Sequence, residues 1–307
     1  PIHGILPIVL AGGSVILMGR FDIDRCCEMV QRFQVTTFFS VPTIYTMLLD
    51  QKGDALAQMK SLRVCSAGGS PLTEEIVKKF EALTGATLLN TYGLTEAGAI
   101  YREMLGTPRK SGCAGTIGGT IEAKLVDSRG RPVNAGEPGE IHARGFTAIK
   151  GYWKNGRVDP SLLDDGWVNT GDVGVLEDGY FLRILDRTKD MIITGGANIY
   201  SAEVERVIAL HPGVQMSALI GIPDRVMGEL AVAYVVPRTA GAVSAEELQA
   251  FCRERLSSYK VPRRFEFVDK LPMTPTGKIQ KFELRRTAVQ SSAALPKKSG
   301  DKPTGAK

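Results

Sequence analysis

Over the first 92 residues, short continuous apolar runs alternate with segments in which apolar positions recur every three or four residues. The runs predict buried strands, and the segments between them predict amphipathic helices. Apolar positions three or four residues apart predict helices over 22–33 and 74–84, with Asp22 and Thr73 as N-caps. Pro42 suits the start of a third helix, because proline costs nothing at the first helical position. Short β-branched and aromatic runs predict strands at 14–18, 36–40, 63–66 and 87–89. Strands alternating with helices across short loops predict a parallel sheet covered by helices.

The pattern changes after about residue 112, and again near residue 189. Turns rich in Gly, Asp and Pro separate short predicted strands at 121–126, 140–143, 167–169 and 180–185. This spacing favours a small antiparallel β subdomain. The third region predicts helices at 202–210, 244–256 and 282–289, and strands at 216–220, 230–236 and 265–268. We therefore expect an α/β region at 1–111, a β subdomain at 112–188, an α+β domain at 189–290 and a disordered basic tail at 291–307.

Composition narrows the class of protein. Hydrophobic residues make up 43% and charged residues 23%, which is typical of a soluble globular chain. The longest apolar stretch, 5–18, is interrupted by Pro7 and Gly12 and is too short to cross a bilayer. The five cysteines form no CxxC pair, so we expect reduced thiols and a cytoplasmic location. The three histidines are far apart, which argues against a structural zinc site.

Charge is concentrated at the C-terminal end. The net charge is +5, but the segment 253–286 carries +6 and the tail 291–307 carries +3, which leaves −4 for the rest. A basic segment of this kind suits a polyphosphate ligand. The segment lacks the interleaved aromatic residues on which nucleic-acid bases stack, so we expect no nucleic-acid partner.

Seven polar or glycine-rich motifs punctuate the chain in a fixed order. They lie at 67–71, 90–96, 139–141, 169–172, 186–199, 258–262 and 275–279. Together they resemble the adenylate-forming (AMP-binding) superfamily and, within it, the AMP-forming acyl-CoA synthetases. The resemblance extends over nearly all of 1–290. It implies that 1–188 is the C-terminal part of a large AMP-binding domain and that 189–290 is a mobile C-terminal domain.

One motif of this superfamily does not appear in the chain. The resemblance implies a Ser/Thr/Gly-rich phosphate loop upstream of Pro1, and no Walker-type sequence replaces it. Pro1 lies at the start of an apolar run, so we expect the sequence to be part of a longer protein. We expect the 307 residues alone to be inactive, because they lack the phosphate loop that would bind the triphosphate.

The chemistry of acid activation explains the residue types in the second and fourth motifs. Joining a carboxylate to ATP requires cations at the reacting centre, an acceptor for the ribose hydroxyls and a flat partner for adenine. The resemblance assigns Glu96 to Mg²⁺ and Thr95 to the α-phosphate. It assigns Tyr92 to adenine, and Asp172 and Arg187 to the ribose. The alternatives are a core aromatic for Tyr92, a turn aspartate for Asp172 and a surface arginine for Arg187.

Two further motifs concern the reacting carboxylate. The resemblance puts the backbone of Gly68, Gly69 and Ser70 against adenine and the acyl carboxylate, although these residues could form only a strand-to-helix turn. Lys278 follows Gly277 in a tight turn, and a compact ammonium could bridge an acyl carboxylate and a phosphate oxygen. The resemblance makes Lys278 catalytic for adenylation only.

The resemblance implies a hinge and two substrate contacts. Lys189 would be the hinge about which the C-terminal domain rotates between two half-reactions, rather than an ordinary loop lysine. Gly195 and Gly196 would then approach the pantetheine arm of coenzyme A.

An acyl pocket is also implied. Its wall would include Gly93 and Leu94, and His3 would line it. Phe21-Asp22 resembles an amino-group-binding pair of peptide-synthetase domains, but capping of the following helix explains the aspartate better.

These features predict an acid–thiol ligase that uses Mg²⁺, ATP and coenzyme A. The expected reaction forms an acyl-adenylate and then an acyl-CoA, with release of AMP and pyrophosphate. The predicted pocket segments carry no charged residue, which favours an apolar acid, either fatty or aromatic. The resemblance of the motif at 190–199 favours a fatty acid, with an aryl acid as the alternative. Two other hypotheses remain: an adenylating enzyme whose second step uses a carrier protein or oxygen, and an inactive fragment.

Overall fold

The computed structural model describes residues 2–19, 21–51, 56–161, 163–274 and 279–293. The chain forms two compact units that divide between Ile184 and Leu185. The division lies close to Lys189, where the sequence predicts a domain boundary. Each unit has its own hydrophobic clusters and is described by itself.

The first unit contains the predicted α/β region and the predicted β subdomain. Its helices are α1 (Ile2–Leu10), α2 (Ile23–Phe33), α3 (Pro42–Leu49) and α4 (Glu74–Thr84). Its first five strands are β1 (Thr37–Ser40), β2 (Val64–Gly68), β3 (Thr87–Leu94), β4 (Gly98–Arg102) and β5 (Thr116–Ile117). The later strands are β6 (Ile121–Val126), β7 (Gly139–Gly145), β8 (Tyr152–Lys154), β9 (Arg157–Asp159), β10 (Leu163–Asp164), β11 (Trp167–Glu177) and β12 (Phe181–Arg187), the last of which crosses the division.

The first sheet has the order β1-β2-β3-β4-β5. The strands β1, β2 and β3 are parallel, as the alternation of strands and helices predicts, whereas β4 and β5 are antiparallel. Ser40 lies opposite Ala67, and Ala67 lies opposite Asn90, so the carboxyl ends of the three parallel strands meet at one edge. Ligands bind at this edge in open α/β sheets.

Local signals at the helix ends are confirmed. The Asp22 carboxylate accepts a hydrogen bond of 2.9 Å from the amide of Arg25, which supports the capping interpretation of Asp22. The Thr73 hydroxyl accepts one of 3.4 Å from the amide of Ile76. Gly85 ends α4 with φ +76°, a left-handed conformation that glycine adopts without strain.

The predicted strand at 14–18 is wrong. These residues follow α1 and lie in irregular chain. An apolar run becomes a strand only where another strand offers a hydrogen-bond ladder. Within the described part of the chain, β1 pairs only with β2, so 14–18 have no strand beside them.

The β subdomain is antiparallel, as predicted. Strands β10, β11, β7 and β6 lie side by side, and β12 also pairs with β11. Its buried face packs around Ile141, Ala143 and Leu182, together with Ile100 and Tyr101 of β4. A separate cluster around Tyr45, Leu48 and Phe80 joins α2, α3 and α4 to the parallel strands. These two clusters hold the carboxyl edge of the parallel sheet beside the β subdomain.

The second unit is a sheet between helices. Its elements are β13 (Ile192–Thr194), β14 (Ala197–Ile199), α5 (Ser201–Ala209), β15 (Val214–Asp224), β16 (Gly228–Pro237), α6 (Ala245–Arg253), β17 (Arg264–Phe267) and α7 (Lys281–Ala293). One sheet face packs against α5 and α6, and the other packs against α7. Helix α7 continues to Ala293, three residues into the predicted disordered tail, and residues 294–307 lie outside the described part.

Candidate functional site

The strand β3 carries the centre of the candidate site. It continues five residues beyond the predicted end at residue 89 and includes Tyr92, Gly93 and Leu94. Gly68, at the end of β2, lies opposite Thr91. The second motif therefore extends along the carboxyl edge, next to the glycine-rich turn of the first.

The turn after β2 approaches β3 closely. A Cβ atom on Gly68 would lie 2.9 Å from the carbonyl oxygen of Thr91, so no larger residue fits without a shift. Gly69 has φ +87°, and Ser70 is exposed. The exposed turn leaves its backbone open to a ligand at the sheet edge.

The backbone of β4 approaches Gly93 even more closely, so this position requires a glycine. The register of β3 against β4 shifts between Tyr92 and Gly93. A Cβ atom on Gly93 would lie 2.0 Å from the carbonyl oxygen of Gly98, a distance that no side chain could tolerate. Leu94 is half-buried and ends the strand.

The hydroxyl of Tyr92 donates a hydrogen bond of 2.8 Å to Oδ2 of Asp172. Asp172 lies where the register of β11 against β7 shifts, which marks a β-bulge. Thr170 stabilises this bulge: its hydroxyl donates to the carbonyl of Ile141 at 2.7 Å and accepts from the amide of Asp172 at 3.1 Å. The structure thus brings together two predicted site residues that are 80 positions apart.

Thr95 and Glu96 occupy the turn between β3 and β4. Thr95 is exposed and Glu96 is half-buried. The hydroxyl of Tyr152, at the start of β8, donates a hydrogen bond of 2.6 Å to Oε1 of Glu96. This hydrogen bond raises the pKa of Tyr152 above the usual tyrosine value, so the phenol keeps its proton at neutral pH. Sequence reasoning missed Tyr152, because no periodicity or motif spacing connects it to Glu96.

The donor set around Glu96 fits magnesium better than zinc. No group of three or more His, Cys, Asp or Glu that could hold a metal occurs among the described residues. Zinc requires three or four protein ligands, whereas Mg²⁺ is commonly held by one or two carboxylates together with substrate phosphates and water. A single half-buried carboxylate at the sheet edge matches the second pattern.

The second unit carries four other predicted site residues in turns or at a strand end. Arg187 ends β12 and is exposed, and Lys189 is exposed in the turn that follows. Gly195 and Gly196 form the two-residue turn between β13 and β14, with φ +55° and +82°. Two successive positive φ angles explain why both positions are glycine.

A cavity of about 140 Å³ lies beside this glycine turn within the second unit. Gly195, Met227, Tyr259, Val261 and Arg263 are among the residues that line it. A Cβ atom on Gly195 would lie 2.7 Å from Cε of Met227, so a side chain there would push against this wall. Arg263 is the charged residue among those that line the cavity.

Two predicted site residues cannot be located. Lys278 lies in the segment 275–278, outside the described residues. His3 belongs to α1, but its side chain also lies outside the described part.

The chain on both sides of residues 275–278 is well anchored. Met273 and Ile279 form an antiparallel bridge, and the amide of Gln280 donates to the carbonyl of Pro272 at 2.8 Å. Lys281 lies 2.7 Å from Oε1 of Glu205, in a largely buried ion pair. These contacts bring the two ends of the segment together.

The chain belongs to the AMP-binding enzyme family. Residues 2–153 match the AMP-binding enzyme family, and residues 203–278 match its C-terminal domain. A feruloyl-CoA synthase of Amycolatopsis sp is 40% identical over 284 residues, which cover 92% of this chain and 57% of that protein. A long-chain-fatty-acid–CoA ligase of Yersinia pestis is 37% identical over 293 residues, which cover 94% of this chain and 51% of that ligase.

A solved structure is also similar to this chain in fold. The crystal structure of ATP-bound MatB from Rhodopseudomonas palustris has a TM-score of 0.85 and 32% identity, covering 94% of this chain and 58% of that one. The chain thus spans about half the length of the curated relatives it matches. Among the described residues, no helix combines the length and apolar character that crossing a membrane requires.

Proposed function

We propose that the intact protein, meaning the complete product of its gene, is an AMP-forming acyl-CoA synthetase. A carboxylate oxygen of the acid attacks the α-phosphorus of ATP, and pyrophosphate leaves with the electrons of the broken P–O bond. The thiol sulfur of coenzyme A then attacks the acyl carbonyl. AMP leaves with the electrons of the acyl–oxygen bond, and the thiol proton passes to solvent.

The observation that carries this proposal is the hydrogen bond between Tyr92 and Asp172 at the carboxyl edge of the sheet. It holds the carboxylate beside the aromatic ring, an arrangement suited to a ribose and its attached base. In this proposal Tyr92 contacts adenine, Asp172 accepts from the ribose hydroxyls and Arg187 makes a second ribose contact. The backbone of Gly68, Gly69 and Ser70 borders adenine and the acyl carboxylate.

The remaining roles concern charge. Glu96 would hold Mg²⁺, whose charge offsets that of the phosphates. Thr95 donates to the α-phosphate. Lys278 bridges the acyl carboxylate and a phosphate oxygen during adenylation, since a point charge stabilises the negative charge that gathers there.

The second half-reaction requires a different set of groups. We assign Gly195 and Gly196 to the pantetheine arm, and Lys189 to the hinge that exchanges Lys278 for this glycine turn. The cavity of about 140 Å³ beside Gly195 supports this assignment, because the basic residue Arg263 is among the residues that line it. A positive charge at this position suits a ligand that carries phosphates.

The acid is apolar in this proposal. Gly93 and Leu94 border the acyl pocket, and His3 is assigned to its wall. No charged residue lies in these positions or in 40–44 to pair with a polar tail. A fatty acid is the first candidate. The 40% identity to a feruloyl-CoA synthase favours an aryl acid as the second.

Exchange of labelled pyrophosphate into ATP by the intact protein tests the proposal. We expect exchange that depends on Mg²⁺ and on palmitate or ferulate, and CoA-dependent release of AMP with the same acid. Exchange without any response to coenzyme A would favour a carrier protein or oxygen in the second step. No exchange with any fatty or aryl acid would contradict the proposal and favour an inactive protein.

A further inference from the structure

Three hydrogen bonds attach the segment 145–152 to the turn that carries Glu96. The Thr147 hydroxyl donates to the carbonyl of Ala97 at 2.7 Å, and the amide of Ile149 donates to the carbonyl of Glu96 at 2.8 Å. The third bond is that of the Tyr152 hydroxyl to Oε1 of Glu96, at 2.6 Å. Two of the bonds fix the backbone of the turn, and the third fixes its carboxylate.

The bond from Tyr152 selects one orientation of a flexible side chain. A glutamate has three rotatable bonds, and fixing them costs conformational entropy. Tyr152 and Glu96 belong to the same compact unit, so folding of the unit orders the Glu96 side chain before a cation binds. Oε1 of Glu96 accepts the hydrogen bond from the phenol, and a cation would bind through the other carboxylate oxygen, Oε2.

The phenol is suited to this role by its geometry, because its hydroxyl donates directly to Oε1 of Glu96 at 2.6 Å. A hydrogen-bond donor next to a metal-binding carboxylate fixes the orientation of that carboxylate, as the hydrogen-bond partners of metal ligands do in metal sites generally.

We propose that Tyr152 is a positioning residue that orients the Glu96 carboxylate for the Mg²⁺ of the nucleotide. The inference rests on the proposed function, since it gives Glu96 the metal. It adds a residue that no sequence motif indicated. The segment 145–152 then serves the nucleotide site as a support for the Glu96 turn.

Binding of Mn²⁺ to the intact protein with a non-hydrolysable ATP analogue, followed by electron paramagnetic resonance, tests the inference without turnover. Tyr152→Phe removes only the hydroxyl and should weaken Mn²⁺ binding about tenfold. The Mg²⁺ concentration that gives half-maximal pyrophosphate exchange should rise by the same factor. Tyr180→Phe is the matched control, because Tyr180 is 52% exposed and Tyr152 is 48% exposed. We expect this control to leave both quantities unchanged.

A double mutant identifies the route of the effect. In a Glu96→Gln background, Tyr152→Phe should cause no further loss of Mn²⁺ binding, because the carboxylate it orients is gone. Equal Mn²⁺ binding by wild type and Tyr152→Phe, in a protein that still exchanges pyrophosphate, would overturn the inference alone. Absence of exchange in the wild type would overturn the proposed function and the inference with it.

Discussion

The hydroxyl of Tyr92 and the carboxylate of Asp172 lie 2.8 Å apart, although they belong to different sheets of the first unit. Tyr92 lies on β3, which forms the edge of the parallel strands, and Asp172 lies on the bulge of β11. The contact joins the α/β region to the β subdomain at the candidate nucleotide site. Both residues remain half-buried, so each keeps an exposed part for a ligand.

Truncating Asp172 should weaken nucleotide binding strongly. Asp172→Ala removes the proposed charged acceptor for the ribose hydroxyls, and we expect the Kd for ATP to rise about 30-fold. Tyr92→Phe keeps the ring and removes only the hydroxyl, so the Kd should rise by about fivefold or less. Calorimetric titration of the intact protein measures both. Unchanged affinity in Asp172→Ala, or an equal loss in Tyr92→Phe, would contradict the assigned roles.

Gly93→Ala should destabilise the first unit. The new Cβ atom would collide with the carbonyl oxygen of Gly98, and β3 and β4 would have to separate. We expect a loss of about 3 kcal/mol in the free energy of unfolding. Gly119→Ala is the control, because a Cβ atom there meets nothing within 4 Å. Urea unfolding followed by the fluorescence of Trp153 and Trp167 measures both, and equal midpoints would refute the steric argument.

Acid should weaken the first unit through Glu177. Its hydrogen bond from Arg183, with a second from Lys110, lowers the pKa of Glu177 to about 2. An unfolded glutamate titrates near pH 4.3, so the folded state binds fewer protons over this interval. The stabilisation is therefore complete above about pH 5 and is lost as the pH falls towards 2.

Glu177→Gln tests this dependence. The variant should be less stable than wild type by about 1 kcal/mol at pH 7, a modest value because solvent screens the pair. The difference should shrink at pH 3. Thermal unfolding at the two pH values measures it, and a difference that stays constant or grows in acid would disprove the explanation.

Breaking the Lys281–Glu205 pair should loosen the second unit. Burial raises the pKa of Glu205 even though Lys281 is beside it, so an unpaired carboxylate is costly there. We expect Lys281→Met to destabilise the unit by about 3 kcal/mol. Lys281→Met/Glu205→Gln should recover most of this loss, because glutamine removes the unpaired charge and keeps an acceptor for the amide of Leu219. Lys270→Met, on an exposed lysine, should change stability by less than about 0.5 kcal/mol. Hydrogen exchange of α5 and α7 measures these effects, and similar exchange in Lys270→Met and Lys281→Met would contradict the argument.

Local features of the fold were predictable, whereas long-range ones were not. The caps at Asp22 and Thr73 depend on neighbouring residues, so the sequence indicates them directly. The strand at 14–18 was predicted wrongly, because a ladder partner is not visible in a single segment. The extension of β3 was also missed, since the polar and glycine residues at 90–93 do not follow a strand pattern.

The same reasoning applies to the candidate site. Motif order and resemblance pointed to Tyr92, Asp172 and Glu96 separately. The hydrogen bond between Tyr92 and Asp172, and that between Tyr152 and Glu96, arise from tertiary packing across 80 and 56 positions. Sequence spacing carries no information on such pairs.

In the proposed function, the two half-reactions use different parts of the C-terminal domain. Lys189→Pro fixes φ near −65° at the proposed hinge and also restricts Thr188. We expect it to retain adenylation and to lose transfer to coenzyme A. Lys189→Ala is the control, because it leaves the backbone free and should be mild in both steps. If the proline variant slows both steps by the same factor, Lys189 belongs to a structural loop only.

The most direct measurement assays the two half-reactions separately in Lys278→Ala of the intact protein. Pyrophosphate release without coenzyme A reports adenylation, and single-turnover thioester formation from supplied acyl-adenylate reports transfer. We expect adenylation to fall at least about 100-fold, because a charge that stabilises the transition state is lost, while transfer stays within about threefold of wild type. An equal loss in both steps would show that Lys278 is structural and would contradict the account.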